Sequence, residues 1–352
     1  MKNFAIRHLL LAFMLISPLL VSTIQAKSNV LHFLSWSEYI DPDVVKAFEQ
    51  KYKVKIQFTY FKDDDDRDAI MVKSGGRGYD LIIVNGVSVK SYKRHGWLSK
   101  LSSKDVPNIK HIDRKWMNAF KGANGYTLPY FWGTTGIAYR KDIIKEPISS
   151  WTQLFNPSTE MQGKIIMLGV SRDVIGMALK SLGYSANSVD FMALNKVENL
   201  LKSQKPHVKT YSYMTLDKTS PLVTGDAVIA MAFSGDALMM KEHNENIEYV
   251  LPKEGGNLWV DYLAVLEASN NKVLAKKFID FVNSPEMAAK NANFVYYATP
   301  NKTAKKLLSK EFLSDPVIYP PKFHLDKSEF DGDLPVRIIK KRNQIMAALR
   351  HK

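Results

Sequence analysis

Residues 31–84 read LHFLSWSEYIDPDVVKAFEQKYKVKIQFTYFKDDDDRDAIMVKSGGRGYDLIIV, and their alternation of periods decides the fold class. Leu31 to Leu34 is a short apolar run that predicts a strand. From Asp41 to Lys53, Val44, Val45 and Phe48 fall on one face of a helix, with Asp41 as its cap. Val54 to Phe61 predicts a second strand, Arg67 to Lys73 a second helical stretch, and Asp80 to Val84 a third strand. This strand–helix–strand–helix–strand order implies a parallel sheet with right-handed crossovers. Ligands of such sheets sit beyond the strand ends.

The rhythm resumes after Tyr139. Trp151 to Phe155 predicts a short helix, Lys164 to Leu168 a strand, and Ser171 or Arg172 the start of a helix running to Leu182. Val189 to Leu201 predicts a further helix, Ala227 to Phe233 a strand, and Asp236 to His243 a helix. Ile247 to Leu251 and Trp259 to Leu266 predict strands. Lys272 to Ala292 reads as one long amphipathic helix and Lys302 to Leu313 as another. Pro316, Pro320 and Pro321 interrupt the chain before a last helix near Leu334 to Arg350. There is no internal repeat and no low-complexity linker. Two α/β lobes, with chain crossings near Thr134–Gly136 and Asp261–Ala264, accommodate this order. A cleft between such lobes is a natural ligand site.

The first residues read as a secretory signal peptide. Lys2 and Arg7 give a positive start, Leu9 to Val21 an apolar run broken by Ser17 and Pro18, and Ser22 to Ala26 a small, polar finish. Cleavage is expected near Ala26, which leaves about 326 residues, enough for two lobes. The chain has no cysteine. That excludes a disulfide framework, thiolate chemistry and a lipid-modified cysteine. A soluble, periplasmic product follows. Without Lys2 and Arg7 the balance is 47 basic against 35 acidic residues, or +12. Such a charge suits an anionic partner, but the basic residues are scattered, and nucleic acid is excluded for an exported protein. The one dense stretch, Arg337 to Lys352, is read as a solvated helix face, with a docking patch as its alternative.

Several chemistries are missing. The glycines at 75, 76 and 78 lack the spacing of a phosphate loop and are read as a turn. Asp63 to Asp66 lacks the alternating ligands of a calcium loop and is read as a solvated loop and helix start, with Asp63 as an exposed acid. No histidine pair has metal-ligand spacing; His111 and His324 are read as surface or structural residues. Phe233-Ser234-Gly235-Asp236 lacks the glycine that precedes the serine of a nucleophile elbow. No catalytic residues, no metal and no cofactor are expected. A small-molecule enzyme using the same cleft is the outside alternative.

What remains is a recurrent pairing of aromatics with carboxylates: Ser35-Trp36-Ser37-Glu38-Tyr39, Phe233-Ser234-Gly235-Asp236 and Leu258-Trp259-Val260-Asp261-Tyr262. Each follows or ends a strand-like run. An aromatic face attracts an organic cation, and a carboxylate accepts charge-assisted hydrogen bonds from it. Together they describe a slot for a cation with several amines. Trp259 and Asp261 share one face of a strand. Trp132 is read as core.

At these segments the chain resembles the periplasmic polyamine-binding proteins, the spermidine and putrescine receptors of ABC transporters, a family that includes norspermidine-sensor-like members. The resemblance covers nearly the whole mature chain. It is carried by residues 33–39, Gly78-Tyr79-Asp80-Leu81, Pro129 to Gly136, Met177-Ala178-Leu179, Leu182-Gly183-Tyr184, Pro252 to Gly256, Trp259-Val260-Asp261 and Tyr297 to Asn301. It implies a type II periplasmic binding protein fold, two α/β lobes joined by a hinge with the ligand between them. The expected division is 27–135 with 262–306 for the N-terminal lobe, and 136–261 with 307–352 for the C-terminal lobe.

By the same resemblance, Trp36, Ser37, Glu38, Tyr39, Asn85, Asp173, Phe233, Asp236, Trp259, Asp261, Tyr297 and Asp331 are the implied ligand contacts. Asp173 takes the position of a family glutamate, Phe233 that of a tryptophan, and Asp331 that of a glutamine. Asp236 matches the putrescine-receptor pattern. Val170 stands where spermidine receptors carry an acid, and Val87 where they carry an aromatic. Three or more acids suit a triamine such as spermidine or norspermidine; a putrescine-specific uptake receptor is the alternative. The implied partner of the monomeric receptor is an inner-membrane ABC permease or a membrane-bound cyclic-di-GMP signalling protein. The pocket departures and the basic tail favour the sensor.

Overall fold

A computed structural model describes residues 29–350. The signal-peptide expectation falls outside them. Among the described residues nine strands form one continuous sheet: β1 (Val30–Ser35), β2 (Lys55–Tyr60), β3 (Leu81–Asn85), β4 (Thr127–Arg140), β5 (Ile165–Met167), β6 (Val208–Tyr211), β7 (Ile229–Phe233), β8 (Ile247–Val250) and β9 (Asn257–Val265). Their order is β2-β1-β3-β9-β4-β7-β5-β6, with β8 on the far half of β4. β1 pairs in parallel with β2 and β3, as the opening rhythm requires. β5 likewise lies parallel to β6 and β7.

The two halves are joined by β4 and β9. Thr127 to Thr135 of β4 pairs antiparallel with Asn257 to Ala264 of β9. Thr135 to Arg140 then turns to pair with β7 and β8. The crossing expected at Thr134–Gly136 thus lies inside one unbroken strand of 14 residues. Its first 13 residues are buried, so no polar alternation marks it as a strand.

Buried side chains gather in two main clusters. The first is built on β1, β3, β9 and the start of β4, with Phe33, Phe48 and Phe278 at its centre. The second is built on β5, β7 and the end of β4, around Trp151, Val174 and Leu194, and takes Ile338, Ile345 and Leu349 from the last helix. A smaller cluster on Ala230 and Met240 backs the other face of that half. Leu258, Val260, Leu308 and Ile318 all pack in the first cluster. The sequence division had placed them in the C-terminal lobe.

Local sequence explains most helix ends. Asp41 caps the helix Pro42–Tyr52, its side chain accepting from the Asp43 amide at 2.7 Å. The stretch expected from Arg67 starts earlier, at Asp64, because Asp63 caps it by accepting from Asp66 N. Asp63 is therefore a structural cap and not a free loop acid. Gly75 closes that helix in the left-handed conformation, φ 61°. The long helix expected from Lys272 to Ala292 is two, Lys272–Val282 and Pro285–Val295. Pro285 has no N–H to continue the first, and it sits in the opening turn of the second. Lys302 to Leu313 likewise divides into Ala304–Leu307 and Lys310–Ser314.

The basic C-terminal helix, Val336–Arg350, is largely tied inward. Arg342 is 2 % exposed and donates to the Ala186 and Ser188 carbonyls. Lys341 pairs with Glu198, and Arg350 donates to the Gly169 carbonyl. Much of the basic stretch is an anchor, neither a wholly solvated face nor a free patch. His111 bonds Thr303 Oγ1, and His324 packs on Phe323. Both are structural, as read. Trp132 stacks on Trp116 at 4.3 Å in the core.

Candidate ligand-binding site

The crossing strands set the floor of a cleft. Asn257, Trp259 and Asp261 alternate along β9 and share a face. Asp261 lies opposite Asn85 at the end of β3, and Asn257 opposite Thr135 of β4, which in turn faces Phe233 at the end of β7. Gly133 makes room for Trp259: a Cβ there would meet the indole at 2.5 Å. Gly235 lets Tyr297 and the Val295 carbonyl approach the next helix, since a Cβ would lie 2.6 Å from that oxygen.

Three acids arrive on helix N-termini that follow strand ends. Asp64 opens Asp64–Ser74, Asp173 lies in the first turn of Ser171–Ser181, and Asp236 in the first turn of Ser234–His243. The helix dipole supports negative charge at such positions. The twelve residues selected from sequence all line this one cleft, whose empty volume of about 730 Å³ includes open solvent. Ser37 and Glu38 are exposed at its rim, Glu38 with φ 52°.

The carboxylates are held by neutral donors. Tyr39 donates to Asp261 Oδ2 at 2.9 Å, and the Trp36 indole also reaches Asp261. Tyr213 donates to Asp236 Oδ2 at 2.8 Å, and Tyr297 to its other oxygen. Thr135 donates to Asp173 Oδ1 at 3.0 Å. The Asn257 amide nitrogen lies 3.3 Å from both Asp173 Oδ1 and Asp331 Oδ2. Among the described residues Asp173, Asp236 and Asp261, each at most 7 % exposed, form no ion pair with lysine or arginine.

Burial therefore disfavours their charge. It raises Asp261 to about 7, with the nearby Asp64 charge adding to the rise. It raises Asp236 to about 6 although Tyr297 and Tyr213 bond the charged form. Asp173 and Asp331 are both raised by burial; the charge of Asp331 adds to the rise at Asp173, while Arg172 opposes the rise at Asp331. Rings close the walls. Trp259 meets Tyr297 edge-on at 4.9 Å and Phe233 at 5.8 Å, and Trp36 lies 5.8 Å from Tyr213. Acids lacking a counter-charge, enclosed by rings, are chemically matched to an organic cation.

Sequence reasoning missed several lining residues: Asp64, Phe120, Tyr213, Leu216, Met239 and Asn257. Asn257 was within reach, two positions before Trp259 on the same strand face. Asp64 was hidden in a run of four acids. It accepts from Asn85 and from Arg67, which is fully buried and also bonds Asp68, Tyr92 and Ser88. Its side chain remains 25 % exposed. Tyr213 follows β6 in an irregular segment with no periodic signal. Among the described residues no group of three or more His, Asp or Glu is arranged to hold a metal ion, and no helix is long and apolar enough to cross a membrane.

A continuous sheet crossed twice between two α/β halves, with a lined cleft at the crossing, defines the class of two-lobed solute receptors of type II topology. The family model described as bacterial extracellular solute-binding protein matches residues 43–320, and the chain belongs to that family. It is 30% identical over 309 residues to the spermidine/putrescine-binding periplasmic protein of Escherichia coli K12, covering 87% of this chain and 88% of that one. It is also 30% identical over 329 residues to the norspermidine sensor of Vibrio cholerae, covering 93% and 90%. The structure of the spermidine/putrescine ABC transporter substrate-binding protein PotD from Streptococcus pneumoniae superposes with a TM-score of 0.77 at 30% identity, over 92% of this chain and all of that one. The family and these relatives are binding proteins, not enzymes.

Proposed function

We propose that this protein is a periplasmic receptor for a linear polyamine, a triamine of the spermidine or norspermidine kind, on which its lobes close. The observation that carries the reading is the set of enclosed carboxylates, Asp173, Asp236 and Asp261, bonded among the described residues by hydroxyl, amide and indole groups and by no lysine or arginine. A protonated amine between aromatic faces supplies the missing charge to each. Ligand contact is assigned to the twelve lining residues selected from sequence, and Asp64, Tyr213 and Asn257 are added to them. The relatives named for spermidine, putrescine and norspermidine support the ligand class.

The lobes divide by packing: residues to about 135, with most of β9 and the stretch to Ile318, form the N-terminal lobe. The mature monomer presents its ligand to an inner-membrane ABC permease or to a membrane-bound cyclic-di-GMP protein. The inward use of Lys341, Arg342 and Arg350 removes the basic tail as a reason to favour the sensor. Uptake of labelled spermidine by a deletion strain separates the two roles: lost uptake marks transport, and unchanged uptake with altered biofilm growth marks sensing.

A thermal-shift panel of putrescine, spermidine, norspermidine, amino acids and sugars tests the ligand class, because a ligand held only by the folded state raises the melting temperature. A shift with sugars or amino acids and none with polyamines would overturn it.

A further inference from the structure

Positive charge that is scattered in the sequence is gathered by the fold beside the cleft. The helix Gly86–Arg94 carries Lys90, Lys93 and Arg94, and residues 119–122 pack against its start. Gly86 allows that approach, since a Cβ there would clash with the Phe120 ring. Lys93 ties the second segment down: it donates to the Gly122 carbonyl at 2.8 Å and lies 4.3 Å from the centre of the Tyr126 ring. Lys121 thereby joins Lys90, Lys93 and Arg94 in lining one hollow. Asp331 and Asp333 line it as well. They belong to a segment fixed to the second half, where Arg172 donates to the Gly332 carbonyl at 3.1 Å and Asn187 accepts from the Gly332 amide at 2.6 Å.

Lys90 pairs with Asp333 and so joins the two halves. Arg94 and Lys121 are exposed and form no ion pair among the described residues. The negative end of the helix dipole accounts for basic residues in the last turn, here Lys93 and Arg94. It does not account for Lys121, which a separate segment brings to the same hollow. Arg94 offers a planar fork of donors and Lys121 an ammonium, and neither lines the ligand cleft. A cationic ligand has no use for them, whereas a carboxylate accepts from both.

We propose that this hollow is a docking site for an acidic side chain of the receptor's membrane partner. This rests on the receptor reading above and adds to it the surface and the chemistry of the contact. A protein carboxylate is the occupant that the lining favours. It can enter singly and meet Arg94 and Lys121, whereas a flat layer of anionic headgroups would also meet Asp333, whose like-charged side chain is 73 % exposed. A carboxylate that takes Lys90 from Asp333 removes one tie between the halves, so docking and ligand release are linked through the same lysine.

Variants returned to a deletion strain test the site, read as uptake of labelled spermidine or as biofilm growth. Arg94→Glu with Lys121→Glu should abolish the response, because like charges set against each other at an interface are strongly unfavourable. Calorimetry should show this double variant binding spermidine like its parent, which also shows that it folds. Lys306→Glu with Lys310→Glu, the same change of net charge at exposed positions outside the hollow, should keep the response. So should Asp333→Asn, which frees Lys90 and leaves the cations in place. A double reversal that works like the parent, or an equal loss in either of these controls, would overturn the docking site while the polyamine reading stands. Spermidine binding weakened by the reversal would do the same, by assigning the cations to the ligand. Binding of the loaded parent to phosphatidylglycerol vesicles, abolished by the reversal, would assign the hollow to lipid and overturn it too. A parent protein that binds neither spermidine nor putrescine overturns the polyamine reading itself, and the docking site with it.

Discussion

Asp261 concentrates the physics of the site in one side chain. It lies midway along the buried strand β9, accepts from Tyr39, and forms no ion pair with lysine or arginine among the described residues. On the proposed reading, an amine bound to it would not be replaced easily by water. Removing one partner of a desolvated charge pair costs about 2–5 kcal/mol, mostly because the other charge is left unpaired. At about 1.4 kcal/mol per tenfold, Asp261→Ala should weaken polyamine binding by roughly 30-fold to a few thousandfold. Trp259→Ala should weaken it as well, through lost packing and cation–π attraction. Glu160, exposed and remote from the cleft, is the control acid. Calorimetry on folded variants decides. An Asp261→Ala protein that binds spermidine like its parent would show that the site lies elsewhere.

At the scale of elements, the helix Asp64–Ser74 does two jobs. It is capped by Asp63, and its first residue faces the cleft. Asp63→Ala should cost about 1 kcal/mol of stability, the usual value of a lost N-cap. Urea unfolding would register it as a lower midpoint at unchanged slope. The same helix is pinned by Arg67, buried among Asp64, Asp68 and Tyr92. Arg67→Met keeps the volume and strands two acids. It should destabilise by about 1–3 kcal/mol, because the two acids keep partial access to water. A midpoint that hardly moves would mean that the network relaxes into water and contributes little.

For the whole molecule, the acids come from both halves: Asp64 and Asp261 from one, Asp173 and Asp236 from the other. Tyr297 reaches Asp236, and Lys90 reaches Asp333, so the two halves are drawn together in this structure. Without ligand, repulsion among the ionised acids across the cleft should favour opening, and a bound cation should remove it. Small-angle scattering should show a smaller radius of gyration on adding spermidine. The same acids set a pH dependence. Asp236 and Asp261 titrate at about 6 and about 7 when folded, against about 3.9 when unfolded. Between those values the folded state holds protons that the unfolded state has lost. Their contribution to the ligand-free protein's stability therefore falls as pH rises from about 4 to about 7, and then levels off. Polyamine affinity should move the other way, rising over the upper part of that window as protons cease to compete. Melting temperatures and binding constants across pH 5 to 8 check both signs. An affinity that falls as pH rises would contradict the exchange of protons for amines.

The sequence alone determined what is written in local periods and end signals. The apolar runs marked β1, β2 and β3, and the cap at Asp41 and the helix start at Ser171 stood in the right places. The aromatic–acid segments at 36–39, 233–236 and 259–261 were legible because aromatics paired closely with acids are an unusual composition, at strand ends in the first two and within β9 in the third. Tertiary structure decided the rest. β4 shows no alternation because both of its faces are covered, so its full length and its crossing appeared only with its partners in place. Asp64 reads as one solvated acid among four; its place beside Asn85, which faces Asp261 across β3 and β9, depends on residues 21 positions and more away. The direction of Arg342, Lys341 and Arg350 depends on which carbonyls and acids the last helix meets. Side-chain type is a local property and is visible in a string of residues. Burial, charge partners and the approach of two distant carboxylates to one amide are properties of contacts, and they exist only once the chain has folded.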